Sequence, residues 1–157
     1  MGQSLAEVVW ERGEQVFVDG RYSRKHYWRF DGGVEVVASS SPLVVRPPLS
    51  ETAAGDPEEA FVAALSSCHM LWFLALAAKR KFCVDSYADA AEARMGRNAT
   101  GKVALLSVTL HPDAKFSGEH RPTRADIDAL HHEAHELCFI ANSVTSEVRC
   151  EPVFHEV

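Results

Sequence analysis

From Ala60 to Ala78 the chain runs 19 residues without a charged side chain, long enough to cross a bilayer core, yet Ser66, Ser67, Cys68 and His69 stand in its middle. In a membrane span those four side chains would lie near the lipid midplane, and no second apolar segment is present to satisfy them. The start of the segment points elsewhere. Asp56 suits a helix N-cap, Pro57 suits the first helical position, and Glu59 completes a D-x-x-E capping box. The expectation is a buried helix over about residues 57–82 and no membrane partner. The rest of the fold must be built to cover it.

At 157 residues the chain matches one ordinary domain, and a single domain over 1–157 is expected. Hydrophobic residues at 46% and charged residues at 24% place it among compact globular proteins. A net charge of -6, with small basic clusters only at Arg21, Arg24 and Lys25 and at Lys79, Arg80 and Lys81, argues against a nucleic-acid partner. The four cysteines, Cys68, Cys83, Cys138 and Cys150, form no CxxC pair and follow no secretory leader, so a reducing cytoplasm is the expected location.

The first 40 residues read as an antiparallel meander. Its strand candidates are "LAEVVWER", "EQVFVDG", "YSRKHYWRF" and "VEVVASS", with turns at Asp19-Gly20 and Asp31-Gly32-Gly33. Pro42 to Ser50 has neither helix nor strand periodicity. After the long helix come two strands, near 84–97 and 103–113. A second helix starts near Thr123 and runs through "ADIDALHHEAHELCFIA", and "SVTSEVRCEPVF" alternates like a last strand. The plan is α+β.

Phe61, Leu65, Cys68 and Trp72 fall at helical spacing, which puts Cys68 on a core face; Cys138 falls on the apolar stripe of the second helix. Spacing alone leaves two readings open for each sulfur, a small packing residue or a reactive thiol. Cys83 and Cys150 read as packing residues. His131, His135 and Cys138, at steps of four and three, offer a metal-ligand spacing, with Cys68 or His69 as a fourth donor; a solvated histidine face is the plainer reading. "HHEAH" lacks the glutamate that a zinc-protease motif requires directly after its first histidine.

The runs "DPEEAFVAALSSCHML" (56–71) and "HHEAHELCFIANSVTSEV" (131–148) resemble the family of osmotically inducible protein C and organic hydroperoxide resistance proteins (OsmC/Ohr). The order of elements agrees over the whole chain. The resemblance implies an OsmC-like fold, with antiparallel sheets around two central helices, built as an intertwined homodimer. It further implies a thiol peroxidase that reduces organic hydroperoxides and is recycled by a lipoyl-type or small dithiol, with no bound cofactor and no metal. By this likeness Cys68 is the peroxidatic cysteine and Cys138 resolves it, and Glu58 holds an arginine that supports the thiolate.

Arg24 is the favoured arginine, because on a strand it would share a face with Tyr22, His26 and Trp28; Arg12, Arg21 and Arg29 are the alternatives. Ten helical residues rise about 15 Å, so Glu58 and Cys68 of one straight helix cannot touch. If both serve one site, Glu58 comes from a second subunit. A non-enzymatic thiol, small-ligand or metal-binding protein on the same fold is the alternative to an enzyme.

Overall fold

A computed structural model describes residues 2–155. The chain divides into two compact units, residues 1–60 and 61–157. In the N-terminal unit, β1 (Ala6–Val9), β2 (His26–Phe30) and β3 (Glu35–Ala38) form an antiparallel sheet in the order β1-β2-β3. Arg29 on β2 stands opposite both Glu7 and Glu35, and its guanidinium reaches them at 3.5 and 2.7 Å. Those exposed pairs contribute register more than energy.

The segment "EQVFVDG" is not a strand. β-propensity yields a strand only where a partner edge is available, and here the aromatic side chains gather instead. Phe17 stacks on Tyr22 at 4.7 Å between ring centroids, Trp10 meets Tyr22 edge-on at 5.4 Å, and Trp10 Nε1 donates to the Ser23 carbonyl at 2.8 Å. Pro42 to Ser50 is irregular, as its composition predicts.

The long helix, α1, spans Pro57–Lys79. Its capping box is formed as the sequence predicts: the Glu59 N–H donates to Asp56 Oδ1 at 2.8 Å and the Asp56 N–H to Glu59 Oε2 at 3.2 Å. It stops three residues short of the predicted end, because Lys81 adopts φ 64° and the Phe82 and Lys81 N–H groups turn back to the carbonyls of Ala77 and Ala78. This is a Schellman closure, with Phe82 packed into the core beyond it.

The C-terminal unit holds β4 (Cys83–Asp89), β5 (Glu92–Arg97), β6 (Val103–Leu110), β7 (Pro112–Ser117), α2 (Arg124–Leu137), a short 3-10 turn (Ala141–Ser143) and β8 (Glu147–Cys150). The two long strands of the sequence reading are four. Each changes sheet midway: β4 pairs with β7, whereas β5 pairs with β6. Asp89 fixes both breaks, its Oδ1 accepting the His111 N–H at 2.7 Å. β8 joins β6 in parallel, so this sheet, in the order β5-β6-β8, is mixed where only antiparallel pairing is expected.

Thr123 caps α2 in a reciprocal box with Asp126. One core unites Phe73, Leu76 and Ala77 of α1 with Leu130 and Ala134 of α2 over the β4-β7 sheet. A second places Leu65 of α1 against Val108 and Leu110 of β6, with Val148 of β8 beside them. Each fully buried side chain of this size contributes about 1.5–3 kcal/mol by transfer from water.

Candidate functional site

The buried stripe of α1 is Leu65, His69, Phe73, Leu76 and Ala77. Cys68 lies beside that stripe, half-buried, rather than on it. The prediction that Cys68 faces the core is therefore corrected by one helical position, about 100° of rotation.

Cys138 is not on α2. The helix ends at Leu137, and Cys138 is its C-cap, with extended backbone at φ -69° and ψ 111°. It is only 1% exposed. The turn brings its thiol within interaction range of that of Cys68. Burial, reinforced by the Cys68 contact, pushes the Cys138 thiol up to about 11, against the opposing pull of the Ala141 N–H, which points at its sulfur from 3.4 Å. Cys138 is thus a protonated thiol at neutral pH, held against a more accessible sulfur.

Two aromatic side chains follow from the same local geometry. Trp72 is one turn beyond Cys68 and Phe139 directly follows Cys138; their rings pack edge to face at 5.6 Å and 88°. Phe139 is 69% exposed, so an apolar surface opens beside the two sulfurs. Phe61 belongs to the second core and takes no part in this pair.

In the N-terminal unit, Arg24 and Glu58 line one cleft of about 520 Å³ with Trp10, Phe17, Tyr22 and His26. Arg24 precedes β2 rather than lying on it. Its guanidinium stacks over the Tyr22 ring at 3.9 Å and donates to the Gly20 carbonyl at 2.9 Å and to the Tyr22 carbonyl. Among the described residues no ion pair joins it to Glu58. The alternatives are otherwise engaged: Arg29 with Glu7 and Glu35, Arg12 with the Gln15 carbonyl, and Arg21 exposed near the Asp19 turn.

A second cluster lies in the C-terminal unit, and sequence reasoning missed its membership. His69 and His131 are 1% and 4% exposed, and His69 Nε2 lies 2.9 Å from His131 Nδ1 in an imidazole pair. Cys150 Sγ approaches the same His69 Nε2 at 3.7 Å. The metal-ligand spacing that His131, His135 and Cys138 offer in the sequence is not assembled among the described residues, because Cys138 leaves the helix at its C-cap. His131 is not part of a solvated face either, and Phe73 stacks on it at 4.3 Å.

Burial holds both imidazoles neutral, His69 pushed down to about 4 with help from His135, and His131 to about 3 with help from His69. Burial also pushes the Cys150 thiol up to about 12, with the carboxylates of Asp89, Asp128 and Glu151 adding to it. The expected packing role fails for Cys83, which is exposed with its sulfur beside Asp85 and Ser117. Residues 62 and 81 positions apart leave no local spacing signal for the His69 cluster.

The fold is shared with known relatives. Residues 50–152 match the model of the OsmC-like protein family, and the chain belongs to that family. An OsmC-like protein of unknown function from Vibrio cholerae O1 biovar eltor is 51% identical, with a TM-score of 0.96 over 98% of this chain and 100% of that one. The organic hydroperoxide resistance protein of Elizabethkingia anophelis shares the fold at 18% identity and a TM-score of 0.70, over 97% of this chain and 94% of that one. OhrB, the organic hydroperoxide resistance protein of Bacillus subtilis, does so at 15% and 0.67, over 97% and 98%. No curated protein matches the chain.

Proposed function

We propose that this chain is a thiol-dependent peroxidase acting on organic hydroperoxides, with Cys68 as the peroxidatic and Cys138 as the resolving cysteine. The carrying observation is that a half-buried sulfur, Cys68, lies within interaction range of a buried, protonated one, Cys138, beside an apolar surface. The Cys68 thiolate attacks the O–O bond. The leaving alkoxide takes a proton to become the alcohol, and Cys68 becomes a sulfenic acid. The Cys138 sulfur then attacks Cys68, its proton leaves with the sulfenic hydroxyl as water, and a disulfide forms. A lipoyl-type or small dithiol reduces that disulfide and is itself oxidised.

The Trp72 and Phe139 surface suits the alkyl part of the substrate. In this reading Arg24 supplies the positive charge that favours the thiolate, and Glu58 positions it. About 15 Å of helical rise separates Glu58 from Cys68, so the cleft of one subunit serves the sulfur of another. The working unit is then a cytoplasmic homodimer, with residues 1–157 acting as one functional domain and no bound cofactor.

Consumption of cumene hydroperoxide with dihydrolipoamide as electron donor tests this reading. Turnover faster than with hydrogen peroxide supports it, and no turnover with any dithiol overturns it. Sedimentation at micromolar concentration should give a dimer; a monomer that still turns over would refute the shared site.

A further inference from the structure

His69, His131 and Cys150 place one donor atom each within 4.8 Å of one another. Three elements supply them: His69 comes from the buried stripe of α1, His131 from α2 and Cys150 from the end of β8. The observed separations are 2.9 Å between the two nitrogens and 3.7 Å from sulfur to His69 Nε2. Around a tetrahedral zinc ion, bonds of about 2.0–2.1 Å to nitrogen and 2.3 Å to sulfur give ligand edges of roughly 3.4 Å between nitrogens and 3.6 Å from nitrogen to sulfur. The sulfur edge to His69 already matches, the nitrogen pair would open by about 0.5 Å, and the remaining edge, from the Cys150 sulfur to the His131 donor nitrogen, lies within 4.8 Å.

The two rings are kept in the core at a cost borne by the nitrogens that do not face the cluster. His69 Nδ1 and His131 Nε2 are buried with no hydrogen-bond partner. Two core positions beside Phe73 thus carry polar rings whose outer nitrogens nothing satisfies, where leucine or phenylalanine would pack without that cost. The surroundings favour a cation: Asp89, Asp128 and Glu151 all act on Cys150. A groove of about 260 Å³, lined by Asp128, His131, His135 and Cys150 among others, gives access and an open side for a fourth ligand.

We propose that His69, His131 and Cys150 form a binding site for a borderline-soft divalent ion, zinc by the chemistry of the donors, with its fourth position open to the groove. Both imidazoles bind as neutral ligands. The Cys150 thiol binds as thiolate and releases its proton to solvent on metal uptake. This site is separate from the sulfur pair of the proposed peroxidase, since His69 and Cys68 are adjacent in sequence but point about 100° apart on α1.

The test uses the reduced, chelator-treated full chain. Titration with cobalt(II) without oxygen should give one equivalent of a tetrahedral spectrum with a thiolate charge-transfer band, displaced by zinc. The band should vanish in Cys150→Ser and survive in Cys68→Ser and Cys138→Ser. Zinc X-ray absorption on the wild-type chain, which does not depend on any variant folding, should find one sulfur and two imidazole nitrogens. Absence of the cobalt spectrum, a shell with two sulfurs, or a band lost in Cys138→Ser but kept in Cys150→Ser would overturn the proposal.

Discussion

Cys138 and Cys150 carry the same penalty and face different partners. Burial is the largest cause in both, raising one thiol to about 11 and the other to about 12. Cys138 meets a second sulfur on the accessible flank of α1, whereas Cys150 meets an imidazole on the buried stripe. Neighbouring residues of one helix, Cys68 and His69, set that difference, because a single step turns a side chain by about 100°. A desolvated thiol is therefore not one kind of site; its partner decides between disulfide chemistry and coordination.

The largest expected effect separates the two centres by activity. Cys68→Ser should lower peroxide turnover by more than about 10³-fold, as loss of a nucleophile does. Cys138→Ser should still consume one equivalent and stop at a sulfenic acid that dimedone traps, read by mass spectrometry. Neither should change zinc uptake. If Cys150→Ser abolishes turnover as fully as Cys68→Ser, the division between the centres is broken.

Next in size is Phe73→Ala, which removes the ring stacked on His131 and should cost about 3–5 kcal/mol in urea unfolding. The histidine pair itself gives a smaller effect of a distinctive form. His131→Leu leaves buried His69 Nε2 with only the Cys150 sulfur at 3.7 Å and should cost about 1–3 kcal/mol, whereas adding His69→Leu should recover most of that loss.

The same pair governs acid sensitivity. Both histidines have folded values depressed from 6.5, to about 4 and about 3. Below pH 6.5 the unfolded chain takes up protons that the folded chain refuses, so their contribution to stability falls as pH drops from 6.5 towards 4 and rises in the other direction. Chemical denaturation across that window should show the slope in the wild type and a flatter one in the double variant. The smallest effect belongs to Cys83→Ser. Its exposed side chain touches neither centre, so stability should stay within about 0.5 kcal/mol and turnover should not change.

What the sequence disclosed follows the range of the interactions. The α1 start was legible because Asp56, Pro57 and Glu59 lie within one turn, and the Thr123 cap of α2 was legible for the same reason. The end of α1 was not: Lys81 closes it in a left-handed conformation where no glycine signals a stop. The breaks at 90–91 and 111 were hidden because alternation of side chains continues through a change of sheet, and the Asp89 contact that fixes them spans 22 positions. Cys68 and Cys138 were singled out by resemblance, and their nearness depends on the turn that closes α2. The His69, His131 and Cys150 cluster had no local pattern to betray it, since each donor arrives on a different element.

Disulfide chemistry at Cys68 and Cys138 is tested by treating the reduced chain with one equivalent of cumene hydroperoxide and mapping the product by intact and peptide mass spectrometry. Rapid loss of two hydrogens is expected, located to a Cys68 to Cys138 disulfide, with Cys83 and Cys150 still free. Intact thiols, slow oxidation scattered over the four cysteines, or a bridge that includes Cys150 would contradict it.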